Sequence, residues 1–147
     1  MIAAISKQVP IEVFGKVHEP PQNLSVKPSV WGFEMHRILA ASPISLNVHT
    51  DKYTNHTVGE TYTGFATNMR LFESTGTGAC LLTDWKSNLS DFFDPDREVV
   101  TYKSIDECVD HPANCKQIAL AGQQRTLTEH TLEQRANQLD RILVKLI

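Results

Sequence analysis

"TNMRLFESTGTGACLLTD", residues 67–84, sets Arg70 and Glu73 three positions apart, then Gly76 and Gly78, then the apolar run Ala79-Cys80-Leu81-Leu82. Side chains three apart share one face of a helix. Glycine ends helices and allows tight turns. A short apolar run behind such a turn reads as a strand buried on both faces. The stretch therefore predicts a helix over 67–75, a turn, and a strand over 79–83. The same unit recurs on either side. Phe33, Met35, Ile38 and Leu39 give a helix over 32–41 that Ser42-Pro43 stops before the apolar run Ile44 to Val48. A short helix over 89–93 precedes a strand over 98–101, and a strand over 11–15 follows an apolar stretch at 2–9 that reads as a helix remnant. Helices alternating with short apolar strands predict an α/β domain: a Rossmann-like open parallel sheet of about four strands, near Ile11, Ile44, Ala79 and Glu98, with helices on both faces. Residues 16–28, polar and interrupted by Pro20, Pro21 and Pro28, read as a loop. The threonine-rich segment 50–63 shows little apolar period and also reads as a loop, placed near a site because long loops in small domains are more often functional than idle.

Two capping boxes mark helix starts near the carboxyl terminus, Ser104 with Glu107 and Thr131 with Gln134. The first helix stops early, at His111-Pro112. The last carries Leu132, Ala136, Leu139, Leu143 and Leu146 at helical spacing, so it is expected to lie on an apolar surface.

With 147 residues and 41% hydrophobic content, the chain can bury one core and is too short for two ordinary domains, so residues 1–147 are read as one domain. Its formal charge of −3, spread without long runs, lacks the basic footprint that a nucleic-acid partner requires. No segment approaches the roughly 20 apolar residues of a membrane span, and no leader pattern stands at the amino terminus. A soluble, cytoplasmic protein is expected. The cysteines, Cys80, Cys108 and Cys115, are sparse and odd in number, which predicts free thiols. The sequons at Asn23, Asn55 and Asn88 are then chance matches.

Cys108, His111 and Cys115 have metal-like spacing, but a structural zinc site needs a fourth ligand and none stands out nearby. Asp94-Pro95-Asp96 is similar to the paired-aspartate motif by which some glycosyltransferases hold a metal-bound sugar diphosphate; between a helix and a strand it also suits a plain turn. No metal and no cofactor are expected. In an open parallel sheet ligands bind beyond the carboxyl ends of the strands. His49, after the strand at 44–48, and Asp84, after the strand at 79–83, stand there, each either a loop residue satisfied by its neighbours or a ligand contact. Arg70 and Glu73 likewise carry two readings. They form a surface ion pair, or a guanidinium and a carboxylate that, with helix-start amides near Ala66, Thr67 and Asn68, suit a diphosphate and a ribose diol.

Several stretches then carry a resemblance: Trp31-Gly-Phe-Glu-Met35, Ser45-Leu-Asn47-Val-His49, Asn68-Met-Arg70-Leu-Phe-Glu73-Ser-Thr-Gly-Thr-Gly78, Leu81-Leu-Thr-Asp84, Glu98-Val-Val-Thr-Tyr102, Ala121-Gly-Gln123 and Glu129-His-Thr131. In that order they resemble the C-terminal domain of the CgeB-like, spore-protein-like glycosyltransferases, from about Val13 onward. The resemblance implies one half of a GT-B architecture, lacking the first strand of the family domain and facing a separate N-terminal acceptor-binding domain. It implies that Glu73 binds the donor ribose and that Asn68 to Arg70 lie at the diphosphate end; the helix-start and strand-end rules add Thr67, His49 and Asp84 to the same expected donor site. Many retaining relatives carry a second glutamate eight positions before the ribose-binding one, where this chain has Phe65.

The function expected on that basis is nucleotide-sugar binding within a hexosyltransferase-type enzyme, incomplete without its partner domain or self-association. The competing expectation is a catalytically silent nucleotide-binding or interaction module on the same fold.

Overall fold

The computed structural model describes residues 2–49, 52–55, 60–63, 65–66, 68–110 and 114–145, with 52–55 and 60–63 followed along the backbone. In chain order the elements are α1 (Ile2–Ile5), β1 (Glu12–Phe14), β2 (Ser25–Lys27), α2 (Gly32–Ala41), β3 (Ile44–Asn47), β4 (Lys52–Asn55), β5 (Glu60–Thr63), α3 (Arg70–Gly76), β6 (Cys80–Asp84), a 3-10 turn (Leu89–Asp91), β7 (Val100–Tyr102), α4 (Ile105–Val109), α5 (Cys115–Glu129) and α6 (Leu132–Leu143).

The fold is α/β. β3, β6 and β7 form a parallel sheet in that order, with Ser45 opposite Leu81, Asn47 opposite Thr83 and Thr83 opposite Thr101. β6 is central, and Cys80 through Thr83 are all buried. Its alternate residues feed two cores, because neighbouring side chains of a strand point to opposite faces. Cys80 and Leu82 join Ile5, Val100, Tyr102, Cys108 and Ile118, from α1, β7, α4 and α5. Leu81 joins Ala66, Leu71, Leu89, Phe93 and Val99, beneath α3 and the 3-10 turn. Helices thus cover both faces.

Several local sequence signals act as anticipated. Gly78 takes φ 83° in the turn between α3 and β6, a region that suits glycine. α5 meets the loop before β7 at Gly122, whose ideal Cβ position lies 2.3 Å from the Glu98 carbonyl oxygen, and packs on α3 through a buried hydroxyl pair, Thr75 and Thr126, 2.6 Å apart. The Thr131–Gln134 capping box forms in full. At Ser104 the hydroxyl accepts from the Glu107 amide, but the glutamate reaches one residue further back, to the Lys103 amide at 2.8 Å.

Three expectations need correction. The strand near Ile11 forms as β1, but it pairs with β2 in a separate parallel pair, so the sheet carrying β6 has three strands. The partner comes from the stretch read as a proline-bracketed loop, where Ser25-Val26-Lys27 is too short to show a period. The segment 50–63, also read as a loop, contains the antiparallel hairpin β4–β5, with Lys52 opposite Thr63 and Asn55 opposite Glu60. Its threonines and tyrosines favour a pleated backbone without an apolar alternation to advertise it. Lastly, the closing helix is not laid on an apolar surface among the described residues: no residue of α6 is buried, and Leu132 is 87% exposed. It is held at its start, where the His130 ring packs among Phe72, Phe92 and Phe93, donates through Nε2 to the Phe92 carbonyl at 2.8 Å, and accepts from Arg135 at 2.5 Å.

Candidate functional site

Parallel strands end together, so the residues just past β3 and β6 are forced into one neighbourhood. There the structure brings His49 and Asp84 into contact. The His49 ring donates from Nδ1 to Asp84 Oδ1 at 2.6 Å, and the His49 backbone amide donates to the same oxygen at 2.9 Å. Lys86 Nζ lies 3.0 Å from Asp84 Oδ2. Burial alone would raise the Asp84 carboxyl, but the His49 ring, its amide and Lys86 outweigh that and hold it at about 2. Asp84 is therefore a fixed negative charge near neutral pH, with its histidine locked in one ring orientation.

The network continues along the strand ends. Asn47 donates from Nδ2 to Thr83 Oγ1 at 3.0 Å and lies 3.4 Å from His49 Nε2. Asn68 donates from Nδ2 to Asn47 Oδ1 at 2.9 Å. The Tyr102 hydroxyl donates to the Asn47 carbonyl at 3.0 Å, pinning β7 to the end of β3, and burial pushes that phenol well above its usual range. Among the described residues one buried side-chain acceptor has no partner: Asn68 Oδ1. Native interiors rarely leave such an atom unpaired.

Of the residues anticipated from sequence, His49, Asp84 and Asn68 thus belong to one hydrogen-bonded group. Arg70 and Glu73 stand apart from it, paired with each other at 3.1 Å with side chains 38% and 23% exposed, and Arg70 also contacts Met35 Sδ at 3.3 Å. Thr67 lies outside the described residues. The Ala66 amide, anticipated as a free donor, is occupied: Asn88 accepts from it at 2.6 Å and donates back to the Ala66 carbonyl at 3.0 Å. Asn47, Thr83, Lys86 and Tyr102 were not anticipated as site residues. Asn47 did leave a trace, since a buried asparagine closing the apolar run of β3 must find partners.

Asp94-Pro95-Asp96 builds a turn. Pro95 bridges to Val99, and Asp96, at φ 64°, accepts from both the amide and the hydroxyl of Thr101. Clefts of about 300 and 440 Å³ adjoin this turn, next to Asn114 and Ile118 at the start of α5. Among the described residues, none of those that line them belongs to the polar group at the strand ends. Cys80, Cys108 and Cys115 form no disulfide; burial, with Cys115 beside it, pushes the Cys80 thiol up to about 12. His111 lies outside the described residues.

A glycosyl transferase-like family model matches residues 1–141, nearly the whole chain. The chain belongs to the glycosyl transferase-like family. No curated protein and no solved structure matches it. Within this family the α/β fold with helices on both faces of a parallel sheet fits a Rossmann-like half-domain. Among the described residues no helix is long and apolar enough to cross a membrane.

Proposed function

We propose that this member of the glycosyl transferase-like family is the nucleotide-sugar-binding half of a GT-B, CgeB-like glycosyltransferase, acting with a partner N-terminal domain that binds the acceptor. The observation that carries this reading is the buried polar group at the carboxyl ends of β3 and β6. Asn47, His49, Asn68, Asp84 and Lys86 converge where open parallel sheets bind ligands, in a chain whose family transfers sugars. A purely structural strand end does not need a carboxylate, an imidazole, an ammonium and two amides. Glu73 serves as the ribose contact in this reading. A carboxylate offers about four lone-pair sites, so it can keep Arg70 and still accept from a diol. Arg70 is the cation assigned to the diphosphate, and no metal is part of this reading.

One observation favours the silent module instead: Arg70 and Glu73 satisfy each other, as a plain i, i+3 surface pair would. A thermal-shift panel of nucleoside diphosphates and nucleotide sugars tests the binding claim, because a ligand at 100 times its Kd stabilises by about 2.7 kcal/mol. Stabilisation by a nucleotide sugar, followed by sugar transfer or donor hydrolysis once a partner domain is supplied, supports the enzyme. Binding without turnover in that reconstituted form supports the silent module, and no shift with any member of the panel refutes nucleotide binding and leaves the interaction module alone.

A further inference from the structure

The hydrogen bonds at the strand ends have a direction, and we infer that Asp84 sets it: the carboxylate fixes a relay through His49 and Asn47 that leaves Asn68 Oδ1 as an open acceptor, reading a hydroxyl or N–H of the nucleotide sugar and not its phosphates. The ligand half of this inference rests on the function proposed above; the relay does not.

The direction follows from donor and acceptor chemistry. An ionised carboxylate only accepts, so at 2.6 Å the ring nitrogen facing Asp84 carries the proton. In the neutral ring the other nitrogen, Nε2, is then an acceptor. The Asn47 group 3.4 Å from Nε2 must be its amino end, which also donates to Thr83 Oγ1 at 3.0 Å. That turns Asn47 Oδ1 the other way, toward Asn68, and only the Asn68 amino group can donate to it, at 2.9 Å. Asn68 keeps a second amino hydrogen, and its carbonyl oxygen is buried and has no partner among the described residues.

An oxygen with lone pairs and no proton repels phosphate oxygens and attracts hydroxyl and N–H groups. Asn68 is thereby moved from the diphosphate end to a donor-bearing part of the ligand: a sugar or ribose hydroxyl, or a base N–H. In this relay Asp84, His49 and Asn47 are positioning residues. They hold an amide in the orientation that presents oxygen, and an unmet buried acceptor is what a matching ligand relieves and a mismatched one does not.

Two measurements test this. Long-range proton–nitrogen correlation spectra of the ¹⁵N-labelled chain, with His49 assigned by its loss in His49→Gln, report which ring nitrogen is protonated near neutral pH. A protonated Nδ1 with a bare Nε2 is expected. In Asp84→Ala, which leaves Nδ1 without its acceptor, that preference is expected to be lost. An Nε2–H ring in the wild type overturns the relay. Calorimetry with two nucleotide-sugar probes, UDP-glucose and GDP-mannose, and with inorganic pyrophosphate then compares the wild type with Asn68→Ala. Asn68→Ala is expected to weaken whichever nucleotide-sugar probe binds by about 3- to 10-fold, the size of one net hydrogen bond, and to leave pyrophosphate affinity unchanged. Unchanged nucleotide-sugar affinity in Asn68→Ala, or an equal loss for pyrophosphate, overturns the ligand assignment. If neither probe binds the wild type, the nucleotide-sugar reading and the ligand half fail together, and the ring spectrum still decides the relay.

Discussion

Asp84 receives two hydrogen bonds at one oxygen from one residue, His49, through its ring and through its backbone amide. The carboxyl is held at about 2 against an ordinary 3.8. A depressed acid stabilises the fold above its unfolded-state value, and that contribution disappears as the pH falls through the folded value. Asp84→Asn is therefore expected to cost about 2 kcal/mol near pH 7, from the pKa difference. The gap between the two proteins should close between about pH 4 and pH 2. Urea unfolding of both across that range checks it, and a gap independent of pH would contradict it.

Gly122 decides how closely α5 can approach the loop before β7. Alanine is the better helix former by about 1 kcal/mol, which would favour Gly122→Ala on propensity alone. Its Cβ, however, would lie 2.3 Å from the Glu98 carbonyl oxygen, a backbone atom that cannot swing aside. Overpacking wins, and Gly122→Ala is expected to be destabilised by about 1–3 kcal/mol. At Gly76 the nearest atom to an added Cβ is Thr126 Cγ2 at 3.4 Å, so Gly76→Ala is expected to be neutral or stabilising. Thermal unfolding of the two variants separates them.

Thr75 donates to the Leu71 carbonyl at 2.7 Å, so Thr126 is the donor in the 2.6 Å bond between the two hydroxyls. Thr126→Val removes that donor, while Thr75→Val leaves a buried Thr126 hydroxyl without its acceptor. Each single change is expected to cost about 1–2 kcal/mol, and the double variant less than their sum, because the second substitution removes an already orphaned group. A double-mutant cycle in urea measures the coupling; strict additivity would show that the pair carries none.

Glu73 and Arg70 are expected to fail differently. Glu73→Gln exchanges a carboxylate for an amide with one acceptor and should weaken a bound nucleotide sugar by about 1.5–3 kcal/mol. Arg70→Ala should weaken nucleoside diphosphates more than nucleosides, with a shallower salt dependence. If the two only pair with each other at 3.1 Å on the helix face, both changes leave ligand affinity alone and cost a few tenths of a kcal/mol of stability. Calorimetric titration distinguishes the outcomes.

What could be read in the sequence was what local chemistry decides. Ala79 to Thr83 announced a buried strand because apolar residues on both faces have only the middle of a sheet to occupy, and β6 is that middle. His49 and Asp84 were placed by the rule for strand ends, and the fold joins them. The partners that complete the group come from elsewhere in the chain: Asn68 is 21 residues from Asn47, and Tyr102 is 55. No spacing rule reaches that far. The hairpin of β4 and β5 and the pairing of β1 with β2 escaped for a related reason. Strands of three or four residues owe their pairing to what lies beside them, and their own residues carry too few positions to show a period.

The absence of any buried residue in α6 bears on how that segment spends its time. A helix of about 12 residues is marginal in water without tertiary support, and here the support, among the described residues, comes from the capping box and the His130 cluster at its first turn. Its backbone amides beyond that turn should therefore exchange with deuterium orders of magnitude faster than those of β6, and proteases should cut there first. The segment is a thermometer for whatever docks on it: a surface that covers Leu132 and Leu139 would slow exchange across the helix while leaving the sheet unchanged.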